Sequence, residues 1–347
     1  MHPLVRRPGD SPLLSRLVTA TSERERTAPA PPQAGEPRRP VRLPSQGFWA
    51  RLRRDHPVLL LALPGIAVVI VFQYVALGGN VIAFQDYQPY LGIDRSLWVG
   101  LENFSVLFEG DPRFVQALRN TLFITLLQTI FVFPAPIVLA LLLNSLVSNK
   151  VKQAVQSVLY LPHFLSWVIV VAVFQQMLGG AGMINNFLRA NGWDTVNIIG
   201  SPDAFYALIT SQVIWKDTGW ATILFLAVLS QIDRSLYEAS AMDGASRWRQ
   251  IWHVTLPGMR AIIVLLLILK LGDSLSVGFE QLLLQQQAVG RDVSEVLDTY
   301  VYNNGVIGGA WGVSAAVGLV KGLVGLVLVL IANKVAHALG EEGVCRA

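Results

Sequence analysis

The chain has 347 residues, 53% of them hydrophobic and only 14% charged, with a mean hydropathy of +0.49 and a formal net charge of +4. Soluble domains carry about 25% charged residues, so the composition argues against two soluble domains and for a polytopic membrane protein. The lone cysteine, Cys345, excludes an intrachain disulfide framework.

Residues 1–55 are rich in Arg, Pro, Ser and Ala, centred on "TAPAPPQAGEPRRPVRLP". Such a stretch buries too little apolar surface to fold alone. A disordered cytoplasmic tail is expected there, with a transit peptide as the competing reading. Beyond it, six segments reach the roughly 20 apolar residues that a bilayer-crossing helix needs. They are 57–77, 121–147, 154–178, 204–229, 259–284 and 312–336. Pro134, Pro136 and Pro162 are expected to kink their helices.

Lys and Arg set the orientation, because cytoplasmic loops carry the excess. The first 55 residues hold eleven arginines, Lys150 and Lys152 follow the second span, and Arg234, Arg247, Arg249 and Arg260 follow the fourth. The alternate loops are poorer in base, so both termini are expected inside. The external stretch 78–120 carries Phe84, Tyr87, Tyr90, Trp98, Phe104 and Phe108 among turn residues. That mixture suits an ordered cap near the membrane interface.

The loop 233–258 is then cytoplasmic. Asp233 or Ser235 can start a helix, and Ser235-x-x-Glu238 fits a capping box. Small residues follow at Ala239, Ser240 and Ala241. Gly244 supplies the left-handed geometry of a helix stop. Ser246 can cap a second helix, "RWRQIWHVTL", which Pro257 is expected to end. Small residues let another backbone approach closely, and an acidic side chain beside them can grip a basic partner. Two readings of Glu238 therefore stay open: a local cap or Arg234 pair, or a docking contact.

The stretch "LYEASAMDGASRWRQIWHVTLPGM" resembles the EAA loop of ABC-importer permeases. Glu238-Ala239-Ser240, Gly244 and Val254-Thr255-Leu256-Pro257 fill that family's pattern, with Ser240 in place of its second alanine. "ALLLNSLVSNKVKQAVQSVLYLPHFLSWVIV" and "IWKDTGWATILFLA" are similar to sugar-type permeases of the maltose and glycerol-phosphate class. "VGFEQLLLQQQ" and "DTYVY" look closest to a subgroup for polysaccharide-derived oligosaccharides, including aldouronates. The resemblance covers about residue 55 onward. It implies an all-α, type I ABC-importer transmembrane domain with six spans in a bacterial cytoplasmic membrane. It also implies a second related permease, two ATPase subunits that use ATP and Mg, and an extracytoplasmic solute-binding protein. No cofactor would be bound by this chain. The residues meeting the ATPase would be Glu238, Ala239, Ser240, Asp243, Gly244, Ala245, Leu256 and Pro257.

Ionisable groups at membrane depth suggest function by default. Lys216 and Asp217 fall in the fourth predicted span, and Lys270, Asp273 and Glu280 in the fifth. Either they neutralise one another, as Lys270 with Asp273, or they line a sugar path with Trp215, Trp220, Phe279 and Gln281. The chain lacks a G-x-x-x-x-G-K-[ST] phosphate loop, an H-E-x-x-H pair and a cysteine cluster. ATP hydrolysis and metal catalysis by this chain are therefore not expected, and nothing points to nucleic acid. An ion- or proton-coupled secondary transporter is the alternative, and a membrane-embedded enzyme the third reading.

Overall fold

A computed structural model describes residues 56–146, 148–338 and 340. The expected tail over 1–55 and Cys345 lie outside the described residues. The helix His56–Val69 (α1) is one unit. The second unit runs from Ile70 onward. Four helical stretches are long and apolar enough to cross a membrane: Leu60–Phe84, Pro112–Asn144, Trp167–Ala190 and Trp311–Ala338. Two bent helix pairs, Pro202–Leu229 with Arg234–Met242 and Arg247–Gly258 with Arg260–Gly272, bring the number to as many as six.

The cap before the second span is ordered, as its aromatics lead one to expect. Strands Gln85–Asp86 (β1) and Leu97–Trp98 (β2) pair antiparallel. Phe84 stacks on Trp98 at 5.8 Å between ring centroids and packs on Phe104 at 5.3 Å. Asn103 donates to the Ala83 and Gln85 carbonyls at 3.0 and 2.9 Å. Gly312 lies against this corner, where a Cβ would come within 2.5 Å of Asn103 Nδ2.

The second span starts at Pro112–Leu127 (α2), where Asp111 accepts from the Arg113 amide and Pro112 fills the first turn. It continues through a π-helical segment, Gln128–Val132, into Pro134–Asn144 (α3). A proline ring collides with the carbonyl four residues earlier. The widened π turn accommodates Pro134, and the span runs on as one 33-residue helix.

The third predicted span starts too early. Asn149–Tyr160 (α4) is a separate helix with no buried residue, followed by a 3₁₀ turn, Leu161–Phe164. Pro162 has no N–H to continue the α-helix, so it breaks the chain rather than kinking a span. Trp167–Leu178 (α5) starts afresh under a Ser166 cap, and Met183–Ala190 (α6) follows. The fourth span, Pro202–Leu229 (α7), is capped by Ser201 and runs unbroken for 28 residues.

The fifth predicted span also needs correction. Its helix, Arg260–Gly272, stops with Asp273 at its C-cap. A non-helical stretch then leads to Gly278, left-handed at φ 58°, and a separate helix, Phe279–Val289. A backbone turn replaces the helix here, with the Ser276 amide donating to the Asp273 carbonyl at 2.9 Å, and the glutamines beyond need protein partners rather than lipid.

In chain order, Arg234–Met242 is α8 and Arg247–Gln250 is α9. Arg260–Gly272 is α10, Phe279–Val289 α11, Leu297–Val301 α12 and Trp311–Ala338 α13. Apolar clusters hold the second unit together. Ile124, Phe205, Ile209, Val277, Leu282 and Val296 form one, and Ala140, Phe225, Leu229 and Met259 another. Thr121 Oγ1 accepts from the Leu297 amide at 2.9 Å, and Asn120 donates to the Asp292 and Glu295 carbonyls at 2.9 Å each. These bonds fix α12 against α2.

Candidate functional site

The loop between the fourth and fifth spans is a helix, a glycine turn and a second helix. Asp233, not Ser235, is the N-cap of α8, accepting from the Ser235 amide at 2.9 Å. This corrects the capping box: Glu238 sits beyond the position that would reach back to the cap. Hydrogen bonds from the Ser235 backbone and then its hydroxyl hold the Asp233 carboxyl below its ordinary range. The chain reverses at Gly244, φ +74°, where the Ala245 amide returns to the Ser240 carbonyl at 2.9 Å. Only glycine enters this left-handed region without strain. Ser246 then caps α9 through the Arg249 amide at 3.4 Å.

Three residues that sequence reasoning did not single out lock the two helices together. Gln250 donates to the Tyr237 carbonyl at 3.3 Å and to Ser240 Oγ at 3.1 Å. Ser240 Oγ donates in turn to the Tyr237 carbonyl at 2.8 Å. The Tyr237 hydroxyl lies 3.1 Å from Thr255 Oγ1. Serine at position 240 is thus a bonding partner, which an alanine cannot be. Glu238, Ala239, Asp243 and Gly244 are exposed, and Ala245 is half-buried. Met242 and Trp248 are 89% and 68% exposed. The second helix ends at Gly258, one residue beyond Pro257. The chain passes through a π segment, Ile251–Thr255, and Leu256–Gly258 before it bends by 62° into α10. Leu256 and Trp252 line an apolar groove against Pro134 and Leu141 of α3.

The intramembrane polar residues fall into separate groups. Lys216 on α7 is buried and donates to the His163 and Leu165 carbonyls at 2.7 Å each. It satisfies acceptors that the break at Pro162 left free. Asp217 Oδ1 meets His163 Nδ1 at 2.9 Å, and the His163 ring stacks on Trp220 at 4.8 Å. Trp215 packs instead against Phe174. Nothing near His163 in the sequence marks its role, because its partners lie more than 50 residues away.

Lys270 on α10 donates to Gln128 Oε1 at 3.0 Å, in the π segment of the second span. The expected ion pair with Asp273 is not among the contacts found. Asp217, Thr218 and Lys270 share a cavity of about 210 Å³ with Phe133, Pro136 and Leu266. The Thr218 hydroxyl in this wall is buried and has no hydrogen-bond partner. Asp273 opens into a separate groove with Ser276 and with Lys321, which pairs with Asp298.

Phe279, Glu280 and Gln281 belong to α11, away from that cavity. Phe279 packs on Tyr302 at 5.5 Å, and Glu280 is exposed. Gln281 is buried and donates to Gln212 Oε1 at 2.7 Å and to the Ile209 carbonyl at 3.0 Å. Gln285 donates to the same Gln212 oxygen at 3.0 Å. Among the described residues, three or more His, Cys, Asp or Glu nowhere gather as metal ligands would.

The sequence profile described as "Binding-protein-dependent transport system inner membrane component" matches residues 132–340, which take in both bent pairs and the polar cavity. The chain belongs to this family. The polygalacturonan/rhamnogalacturonan transport system permease protein YteP of Bacillus subtilis (strain 168) is 47% identical over 295 residues, 85% of this chain and 92% of that protein. Protein LplB of the same organism is 43% identical over 297 residues, 85% and 93% of the two chains. A chain of a bacterial alginate ABC transporter, crystallised with an alginate pentasaccharide-bound periplasmic protein, matches with a TM-score of 0.78 at 35% identity. That match covers 86% of this chain and 100% of the other. The protein is therefore a multi-pass inner-membrane permease of a binding-protein-dependent ABC importer, and ATPase activity belongs to separate subunits. The readings as a secondary transporter and as a membrane enzyme fall away.

Proposed function

We propose that this permease forms one half of the membrane pathway of an ATP-driven oligosaccharide importer and works by alternating access. The second half is a related permease. Two ATPase subunits, using ATP and Mg, sit below, and a solute-binding protein delivers the sugar from outside. The permease domain is residues 56–347 with both termini cytoplasmic, and residues 233–258 are its coupling element.

The exposed helix–glycine–helix of α8, Gly244 and α9 carries this reading. Its outward face offers Glu238, Ala239, Asp243 and Gly244 beside the apolar Met242 and Trp248. Its inward face is locked by Gln250, Ser240 and Tyr237. A rigid, exposed element at the base of two spans transmits a push as a body rather than yielding to it. Glu238 meets a basic residue of the ATPase. Ala245, Leu256 and Pro257 hold the element against the bundle. The path for the sugar passes the cavity of Asp217, Thr218 and Lys270. The other residues expected along the path, Trp215, Lys216, Trp220, Asp273, Phe279, Glu280 and Gln281, lie outside the lining of that cavity. The relatives' named cargoes, polygalacturonan/rhamnogalacturonan and alginate, favour an oligosaccharide from an acidic polysaccharide.

The test is co-purification of the whole complex and measurement of sugar-stimulated ATP hydrolysis. Glu238→Ala and Gly244→Pro are expected to remove the stimulation. Wild-type stimulation and ATPase retention in both variants would reject the coupling role.

A further inference from the structure

We infer that Lys270 makes the mid-membrane cavity selective for sugars that carry a carboxylate. The inference rests on the oligosaccharide reading and assigns its charge preference to one residue. Lys270 lies ten residues into α10 from Arg260. At 1.5 Å per residue that is roughly 15 Å of rise, half the roughly 30 Å of a hydrocarbon core. Asp217 and Thr218 lie near the middle of the 28-residue α7, so all three polar residues meet at similar depth.

Asp217 and Lys270 share this cavity without forming an ion pair. Asp217 Oδ1 is engaged by His163 Nδ1. The hydrogen bond found for Lys270 goes to the neutral Gln128 amide. An ammonium has three donors, and two of these remain for a ligand. An ammonium at membrane depth without a contacting anion is costly, and an entering carboxylate supplies the missing charge. The unpaired Thr218 hydroxyl in the same wall suits a sugar hydroxyl beside that carboxylate. His163, whose ring stacks on Trp220, holds the Asp217 carboxylate at 2.9 Å.

The experiment is uptake into proteoliposomes that hold the whole complex and its binding protein. Trigalacturonate is compared with its carboxyl-reduced, neutral counterpart, each at concentrations that saturate the binding protein. The readout is the acid-to-neutral rate ratio. A charge-assisted hydrogen bond is worth about 1.5–3 kcal/mol, so Lys270→Gln is expected to lower the ratio at least about tenfold. Lys270→Arg is expected to keep it. Gln128→Glu puts a carboxylate against the ammonium from within and is expected to lower the ratio as Lys270→Gln does, which tests the idea even if the latter fails to assemble. Rates that fall alike for both sugars would make Lys270 a structural tie to the second span and overturn the assignment. Failure of the wild-type complex to import either sugar with ATP present would instead reject the oligosaccharide reading, and this assignment with it.

Discussion

Gly219→Ala tests the joint at which the break after α4 meets the fourth span. A Cβ at Gly219 would stand 2.0 Å from the Leu159 carbonyl oxygen, 2.6 Å from its carbon and 3.2 Å from the Tyr160 nitrogen. These are backbone atoms, so no side chain can swing aside. Relief to ordinary van der Waals distance requires the two segments to part by more than about 1 Å. Overpacking of that kind costs about 1–3 kcal/mol. The same displacement stretches both 2.7 Å bonds from Lys216 to the His163 and Leu165 carbonyls. Losing one such charged bond costs about 1.5–3 kcal/mol more. The sum is about 2.5–6 kcal/mol, equivalent to a Tm drop of roughly 3–8 °C in a chain of this size. Gly322→Ala on α13 is the control, since nothing lies within 4 Å of its added Cβ. There the ordinary helix preference for alanine over glycine applies, a gain of about 0.5–1 kcal/mol. Thermal unfolding of both variants of the purified chain in detergent decides the matter. Equal melting temperatures for the two would refute the close approach.

Lys216→Met keeps the bulk but abandons two buried carbonyls, and is expected to cost about 2–4 kcal/mol, read as a lower Tm and a lower yield of assembled complex. Ser240→Ala restores the residue more usual in the EAA pattern, yet removes the hydroxyl that Gln250 binds; hydrogen exchange over residues 234–250 should quicken while Glu238 stays in place. The Asp233 cap gives a pH signature. Its carboxyl is held below the ordinary value of 3.8, so its contribution is complete above that value and is lost as the pH falls through the lowered one. Protection of the α8 amides should therefore fade only in acid below that point in the wild type, and show no such step in Asp233→Asn.

Apolar run length made the outer spans legible: the last predicted segment, 312–336, lies within Trp311–Ala338, and the first, 57–77, overlaps Leu60–Phe84. The turn at Gly244 and the cap at Ser246 were legible because both act on residues close in sequence. The breaks in the third and fifth spans were not, although Pro162 and the pair Gly272 and Gly278 mark them. Hydropathy averages across such points, and the contacts that make a break tolerable come from elsewhere. Lys216 reaches carbonyls 51 and 53 residues away. Lys270 finds Gln128 across 142 residues, not the carboxylate three positions on. Spacing along one helix could propose the Lys270–Asp273 pair, but only the packing of the second span against the fifth gives the lysine a neutral partner and leaves Asp273 to a different groove.

The glutamine cluster of α11 bears on how the chain is made. Gln281 and Gln285 both depend on Gln212 of α7 for their amide partners. An 11-residue helix with four glutamines has no stable place in lipid by itself, because each unmet amide costs several kcal/mol there. It can be housed only once α7 is already in the membrane and offering Gln212. The order of synthesis supplies that: α7 leaves the ribosome first, and α11 arrives as a guest into a prepared seat. A chain whose fourth span fails to insert would leave this polar segment outside, where the cell's proteases can find it.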